Sequence, residues 1–153
     1  MKVVAGWALA GLVTAAAGCG SPATPSAADR YAAQVNQVQR SFAAQVQGFA
    51  GALTPSSSAR QDRITLAGFQ GALRRATSQL RAIVPPAAVA SLHRQLVGVM
   101  NRYGDAISLA QRALGAHRRG ALLETRQRLL GDARRAAAQL NSTIDAINSR
   151  LHP

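Results

Sequence analysis

The chain is nearly devoid of cysteine, lysine and glutamate, and this limits the chemistry available to it. Of its 153 residues, only Cys19 is a cysteine, only Lys2 is a lysine and only Glu124 is a glutamate. A single cysteine excludes a disulfide within the chain and the cysteine pair that attaches a c-type haem. The Glu-x-x-His pairs that hold metal ions in helical bundles are absent too. We therefore expect no metal ion and no other cofactor.

Motifs for covalent catalysis are missing as well. The sequence contains no Gly-x-Ser-x-Gly elbow, and its densest serine cluster, at 56–58, reads as a turn. His93, His117 and His152 have no spacing that would place them on one helical face. The six acidic residues are scattered along the chain. The sequence therefore predicts a protein that is not an enzyme.

Positive charge dominates the composition. The 17 Arg and six acidic residues that follow Cys19 give this part of the chain a formal charge of +11. Such a charge attracts anionic lipid head groups, wall polymers or nucleic acid through long-range fields. Nucleic acid is not expected as the natural partner, because the N-terminal pattern described below predicts export. The aromatic residues are also not interleaved with the arginines, which argues against stacking on single-stranded nucleic acid.

Three doublets of adjacent arginines allow two interpretations. They are a candidate anion-binding surface, or they are solvated residues whose number reflects a GC-rich coding bias, since Arg almost replaces Lys. Adjacent residues on a helix do not share a face, so each doublet straddles one. The residues concerned are Arg74, Arg75, Arg118, Arg119, Arg134 and Arg135.

The first 18 residues have the anatomy of a signal peptide. A lysine at position 2 precedes residues 3–18, a run of 16 uncharged residues rich in Ala, Val and Leu. The run is shorter than the roughly 20 apolar residues that a transmembrane helix needs. It ends in small residues that form the predicted cleavage motif, Ala16, Ala17 and Gly18, directly before Cys19.

This motif resembles the lipobox of bacterial lipoproteins, although Ala16 stands where Leu is usual. The resemblance implies cleavage before Cys19, fatty acylation (palmitate among the chains) of that residue, and an anchor on the extracytoplasmic side of the cell membrane. Two alternatives remain. A secretory signal cut after Ala17 would leave Cys19 as a free thiol, and an uncleaved leader would itself be the anchor.

The sequence predicts three segments. They are the signal peptide at 1–18, the lipidated cysteine with a disordered tether at 19–28, and a four-helix bundle at 29–153. The tether is small, polar and proline-containing, with nothing to bury. The sequence therefore predicts about 125 structured residues, one domain's worth.

Helix boundaries are marked by capping and breaking residues. Ser26 with Asp29, and Ser58 with Gln61, have the spacing of capping boxes, and the two prolines at 85–86 stop the second helix. Apolar residues recur every three or four positions between these marks. The first stripe extends to Phe49 and Leu53. The fourth consists of Leu123, Arg126, Leu130, Ala133, Ala137, Leu140, Ile144, Ile147 and Leu151.

These patterns predict an all-α fold, an antiparallel up-down-up-down four-helix bundle, because helices joined by short breaks run antiparallel. Asp62 and Arg126 lie in register with the second and fourth stripes. Near one end of such a bundle they are expected to point inward and form an ion pair, because a charge near a core is tolerated when it is paired. The pair is interpreted either as a partly exposed end cap or as a specificity or ligand site.

Several short stretches resemble uncharacterised small helical lipoproteins of actinobacterial type. The stretches are 31–36 (Tyr-Ala-Ala-Gln-Val-Asn), 80–86 (Leu-Arg-Ala-Ile-Val-Pro-Pro), Leu92-His93 and Leu96-Val97. The resemblance implies a helical extracytoplasmic domain and carries no established activity, so Cys19 is the one functional residue that it transfers. His93 belongs to the pattern, and its place beside Leu92 favours a packing role over a ligand role.

Three functions are compatible with these observations. The leading hypothesis is a membrane-tethered, non-enzymatic module that binds a protein or an anionic component of the cell envelope. The second is a bundle that binds a small molecule as a sensor or carrier, and it requires a cavity between the helices. The third is an enzyme, for which Asp62, Glu124 and Arg126 are the available polar residues.

Overall fold

The computed structural model describes residues 24–47, 49, 52–54, 56–115 and 121–151, and within these ranges the chain is all-helical, without a strand. The all-α prediction is therefore confirmed. Four α-helices and one short 3₁₀ helix make up this part of the chain. They are α1 (Ala27–Val46), α2 (Ala59–Ala82), the 3₁₀ helix (Ala87–Val89), α3 (Ala90–Gly115) and α4 (Ala121–Leu151).

Both predicted capping boxes are present. The hydroxyl of Ser26 accepts a hydrogen bond from the Asp29 N–H at 3.0 Å, and Ser58 does the same for the Gln61 N–H at 3.2 Å. In each box the side chain of the later residue accepts from the serine backbone N–H, so free amides at the helix start are satisfied. Because α1 begins at Ala27, the last two residues of the predicted tether are helical.

The first helix is shorter than predicted. Its stripe was expected to continue to Leu53, but α1 ends at Val46. Beyond it, the N–H groups of Phe49 and Ala52 bond to carbonyls three residues earlier, which is a tighter turn than the α-helix makes. The sequence between 48 and 51 contains two glycines, which lower helix propensity and favour termination there.

The break between α2 and α3 follows from the two prolines. Ile83 is extended at the end of α2, and Pro86 caps the 3₁₀ helix that leads into α3. Pro85 and Pro86 have no N–H to donate, and each disfavours helical geometry in the residue before it. The side chains of Ile83 and Val89, on either side of the prolines, are buried and fix the connection to the core.

The core lies between the apolar stripes of the four helices. Helix α3 packs against both α2 and α4, and α1 packs on α2. Three helices meet in a row of edge-to-face aromatic contacts, because Phe69 of α2 contacts Phe42 of α1 and Tyr103 of α3, with ring centroids 5.9 and 5.7 Å apart. Phe49 contacts the same ring at 6.4 Å, so the segment after α1 is tied to α2.

The predicted inward stripe of α4 is wrong in its first half. Leu123 and Leu130 are 63% and 49% exposed, and the buried positions there are Thr125, Leu129 and Ala136. A stripe that repeats every seven residues rotates around a straight α-helix by about 20° per heptad. The stripe faces the core at Leu140 and Ile147. Followed back toward the start of α4, it has rotated out of the core by Leu130 and Leu123.

The contact between Phe49 and Gly68 generates a stability prediction. A Cβ at Gly68 would lie 2.8 Å from the ring of Phe49, whereas one at Gly71 would meet nothing nearer than 3.5 Å. Gly68→Ala should lower the free energy of unfolding by about 1 kcal/mol, because the ring must move. Gly71→Ala, the matched control in the same helix, should raise it by about 0.5–1 kcal/mol. Urea unfolding measures both, and equal stabilisation by the two variants would contradict the contact.

Candidate functional site

A fully buried carboxylate lies at the start of α2. Asp62 has no exposed surface, and its Oδ2 accepts a hydrogen bond from Nε of Arg126 on α4 at 2.8 Å. Ser58, four residues before Asp62, caps the start of α2, so Asp62 lies in the first turn of the helix. The helix dipole favours a negative charge in that turn. The structure thus brings together the two residues that the sequence pattern placed in register.

The segment before α2 completes the site. The hydroxyl of Ser57 donates to Asp62 Oδ1 at 2.6 Å, and Nη2 of Arg126 donates to the Ser57 carbonyl at 2.6 Å and to its hydroxyl at 2.9 Å. The Thr54 N–H donates to the same hydroxyl at 3.1 Å. Ser57 was interpreted from sequence only as a turn residue, and its role as a bridge depends on α4 being close.

The burial of this network decides what it can do. The Arg126 side chain keeps 17% of its surface exposed, so the expectation of a partly exposed pair holds for Arg126 but not for Asp62. Both carboxylate oxygens of Asp62 are engaged by groups of the protein itself. A carboxylate in this state is a structural link between α2, α4 and the preceding loop, and it presents no surface to a substrate.

Glu124 does not join the network. It forms an exposed ion pair with Arg128 one turn later on α4. The polar cluster that an enzyme would have required from Asp62, Glu124 and Arg126 is therefore not assembled in the described residues. The exposed pair contributes little to stability, because water and salt screen it.

A second buried polar contact joins α1 to α3, and the sequence reasoning missed it. The Tyr31 hydroxyl lies 3.1 Å from Nδ1 of His93, and their rings meet edge to face with centroids 5.7 Å apart. Both side chains are buried, at 2% and 5% exposure. A tyrosine on an inward stripe requires a hydrogen-bond partner, and this was the available signal. The packing role expected for His93 at the junction of α2 and α3 is consistent with this position.

The protonation states follow from burial. Desolvation lowers the pKa of His93, and a hydrogen bond to the Leu80 backbone partly opposes this. Burial raises the pKa of Tyr31 to about 12. The imidazole is therefore uncharged near neutral pH, and its contact with the Tyr31 hydroxyl is a hydrogen bond between two neutral groups. The contact therefore links α1, the end of α2 and α3 without a net charge.

Two concave regions bear on ligand binding. The one between α1 and α4 is lined by Tyr31, Val35 and Ile147 and has a volume of about 10 Å³, enough for roughly one water molecule. The other is an open groove of about 600 Å³ between α2 and α3, flanked by Arg63 and Arg112. Neither resembles the mostly apolar, enclosing pocket that holds a small molecule.

The arginine doublets are not assembled into one surface by any described contact. Arg75 of α2 donates to Gln45 of α1 at 2.6 Å, whereas Arg135 of α4 pairs with Asp132 on its own helix. Arg74 and Arg134 are exposed on these same two helices. Arg118 and Arg119 lie outside the described residues. The doublets therefore remain a candidate anion-binding surface only as separate positive positions.

The predicted lipidation site also lies outside the described residues, with Cys19 and the motif Ala16, Ala17 and Gly18 before it, as do His117 and His152. None of the helices in the described part of the chain combines the length and apolar character needed to cross a membrane. Within the same ranges, no three His, Cys, Asp or Glu side chains are grouped so that they could hold a metal ion.

Comparison with protein-family models, with curated proteins and with solved structures finds no match to this chain.

The Asp62–Arg126 pair should dominate the stability of its end of the domain. Asp62→Ala leaves Arg126 half-buried without its carboxylate and should lower the free energy of unfolding by about 3–5 kcal/mol. Glu124→Ala, which removes a carboxylate from an exposed pair on α4, should cost at most about 1 kcal/mol. Chemical denaturation compares the two. If Asp62→Ala is too unstable to purify, Asp62→Asn takes its place, and an effect no larger than that of Glu124→Ala would contradict the assignment.

His93 should make stability depend on pH. Because burial lowers its pKa in the folded chain, the unfolded chain binds the proton more tightly. The contribution is fully present above the unfolded pKa of about 6.5 and is lost as the pH falls below it. Unfolding free energies measured from about pH 7.5 to 5.5 should therefore decrease in the native protein. His93→Gln should flatten this decrease while His117 and His152 remain in place, and an unchanged slope would exclude His93 as its cause.

Proposed function

We propose that the protein is a lipoprotein, anchored through acyl chains on Cys19 to the extracytoplasmic face of the cell membrane. Its helical domain serves as a non-enzymatic interaction module for an anionic component of the envelope or for an envelope protein. The observation that carries the proposal is the uncharged run at 3–18, which ends in Ala16, Ala17 and Gly18 directly before the one cysteine. Acylation gives that cysteine a purpose that a free thiol on an exported chain would lack.

An antiparallel up-down-up-down arrangement is part of this proposal, and contacts at both ends support it. Tyr31 near the start of α1 contacts His93 near the start of α3, and it lines a small pocket with Leu151 at the end of α4. Asp62 at the start of α2 pairs with Arg126 near the start of α4. We call the first region the tether end, because the segment from Cys19 enters there, and the second the loop end.

The charge of the surface supports an anionic partner. In the described residues, three ion pairs link arginine to a carboxylate: those of Arg126, Arg128 and Arg135. The whole chain contains seventeen arginines and six acidic residues, so most of the positive charge has no acid to neutralise it. A surface of this kind binds anionic polymers and head groups through a field that salt weakens.

The alternative, a bundle that carries a small molecule, has less support. It needs an interior cavity, and the space between α1 and α4 holds no more than about 10 Å³. The groove between α2 and α3 is open to solvent, and its lining includes Arg63, Gln111 and Arg112. A groove of this kind fits a partner surface better than a metabolite that must be enclosed.

Mass spectrometry of the intact protein tests the anchor. Protein extracted from membranes of the producing cell should lack residues 1–18 and carry two or three fatty acyl chains on Cys19. Cys19→Ser should abolish the added mass, because acylation needs the thiol. Native protein that carries no fatty acid and keeps its first 18 residues would contradict the proposal.

Vesicle binding tests the partner chemistry separately. The chain from residue 19 onward, with Cys19→Ser and without the apolar leader, should sediment with vesicles that contain phosphatidylglycerol at low salt. Binding should weaken as salt is raised to physiological strength. The same chain should not sediment with vesicles of phosphatidylcholine alone. Absence of binding to the anionic vesicles at low salt would remove lipid from the list of partners and leave a protein or a wall polymer.

A further inference from the structure

The connection between α2 and α3 is apolar at a place where loops are ordinarily polar. Residues 82–88, which we call the apolar tip, read Ala-Ile-Val-Pro-Pro-Ala-Ala and contain no polar side chain. Val84 is 86% exposed, the highest exposure among the large apolar side chains described as exposed, and Ala87 is exposed beside it. By contrast, residues 54–58, which lead into α2, read Thr-Pro-Ser-Ser-Ser.

The apolar tip lies at the tether end. His93, a few residues after the tip, bonds to the Leu80 backbone at the end of α2 and contacts Tyr31 in the first turns of α1. Ile83 and Val89 are buried and hold the tip against the core from both sides. The two prolines restrict its backbone. The tip is therefore a fixed apolar projection next to the point where the chain from Cys19 enters the domain.

The length of that chain keeps the tether end near the anchor. Six residues separate Cys19 from Ser26, so the cap of α1 lies at most roughly 25 Å from the acylated residue. Helix α4 has 31 residues and is roughly 45 Å long. The tether end therefore stays within reach of the bilayer surface, whereas the loop end is held there only if the domain lies on its side.

Four exposed arginines lie in the helix turns at this end: Arg30, Arg81, Arg94 and Arg150. Arg30 also donates to the Pro25 carbonyl, and Arg81 donates to the side chain of Asn101 at 2.9 Å. The acids of these turns are Asp29 and Asp145. Asp29 is already engaged by the N–H and hydroxyl of Ser26 in the capping box. Apolar side chains ringed by cations are typical of surfaces that insert shallowly between anionic lipid head groups.

From these observations we infer that the apolar tip is a second membrane contact. Val84 inserts among the lipids, the four arginines bind anionic head groups around it, and the domain stands on the bilayer with its loop end outward. The inference rests on the proposed anchor, which brings the tip to the surface, and commits to an anionic bilayer as the occupant of the tip.

Single tryptophans report which end touches lipid. Trp7→Phe first removes the one native indole, so that no other indole is present whether or not the leader is cleaved. Val84→Trp then places a single indole in the apolar tip. Leu123→Trp places it at the loop end, at a side chain that is 63% exposed. Each full-length protein is purified from membranes and reconstituted into phosphatidylglycerol vesicles that contain a nitroxide-labelled lipid. Fluorescence of the Val84→Trp protein should be quenched, and that of the Leu123→Trp protein should not.

The outcomes separate this inference from the anchor. Intact mass first shows whether Cys19 is acylated, and circular dichroism shows that both variants are folded. An acylated protein in which the indole at 84 is unquenched, or in which both indoles are quenched equally, overturns the inference and leaves the anchor standing. Quenching at 84 alone, in protein without acyl chains, would support the tip while the anchor fails. If the indole at 84 is shielded from solvent in native membranes but not in vesicles that contain no other protein, the occupant of the tip is a protein. That result would overturn the lipid assignment.

A measurement on protein without acyl chains adds an energetic criterion. In the chain from residue 19 onward, with Cys19→Ser, Val84→Glu should weaken binding to the anionic vesicles about tenfold, because the apolar contact is lost and a repulsive charge is added. Leu123→Glu, the matched control with the same change in charge at the loop end, should weaken it much less. Equal weakening by both would mean that only net charge matters and would overturn a role for the tip.

Discussion

A carboxylate with no contact to water lies at the start of α2, and the groups that satisfy it constrain the surrounding structure. Asp62 requires Arg126 from α4 and Ser57 from the loop before α2. An unpaired charge in that position is costly, so α4 can neither slide nor rotate against α2 without a large loss of stability. In a chain that contains many alanines and no possible disulfide, apolar packing alone specifies helix register weakly. The ion pair supplies this missing specificity.

The opposite end is held by neutral groups. Tyr31, His93 and the Leu80 backbone form a buried hydrogen-bonded contact that joins three helices, and burial keeps the imidazole uncharged. The two ends therefore respond differently to their surroundings. The loop end depends on a pairing of opposite charges, whereas the tether end depends on a histidine that must stay unprotonated. Acidification therefore weakens the tether end through protonation of His93.

This asymmetry agrees with the proposed placement at a membrane. The tether end combines a rigid apolar connection, exposed arginines and the shortest path to Cys19. At the loop end, the network of Asp62 and Arg126 is closed on itself, although Leu123 of α4 is exposed there. A domain that stands on a bilayer needs a surface compatible with head groups at the end that it presents to the lipid. The membrane-contacting groups of the proposal therefore lie on the surface at the tether end.

Local patterns in the sequence determined where the helices begin and stop. Both capping boxes and the break at the two prolines depend on residues within four positions of one another, so neighbouring residues carry the whole signal. The register of Asp62 with Arg126 was also readable, because a charge in an apolar stripe has few acceptable environments. The predicted leader and its cysteine likewise rest on the sequence alone, since the proposed cleavage and acylation would act on a linear motif.

Only the tertiary structure decided which faces of these helices are buried. The exposure of Leu123 and Leu130 depends on which face of α4 meets the neighbouring helices. The bridging role of Ser57 and the partnership of Tyr31 with His93 join residues 69 and 62 positions apart in the chain. Helical periodicity gives the direction of a side chain about its own axis, but the partner it meets is set by the packing of whole helices, which no local pattern encodes.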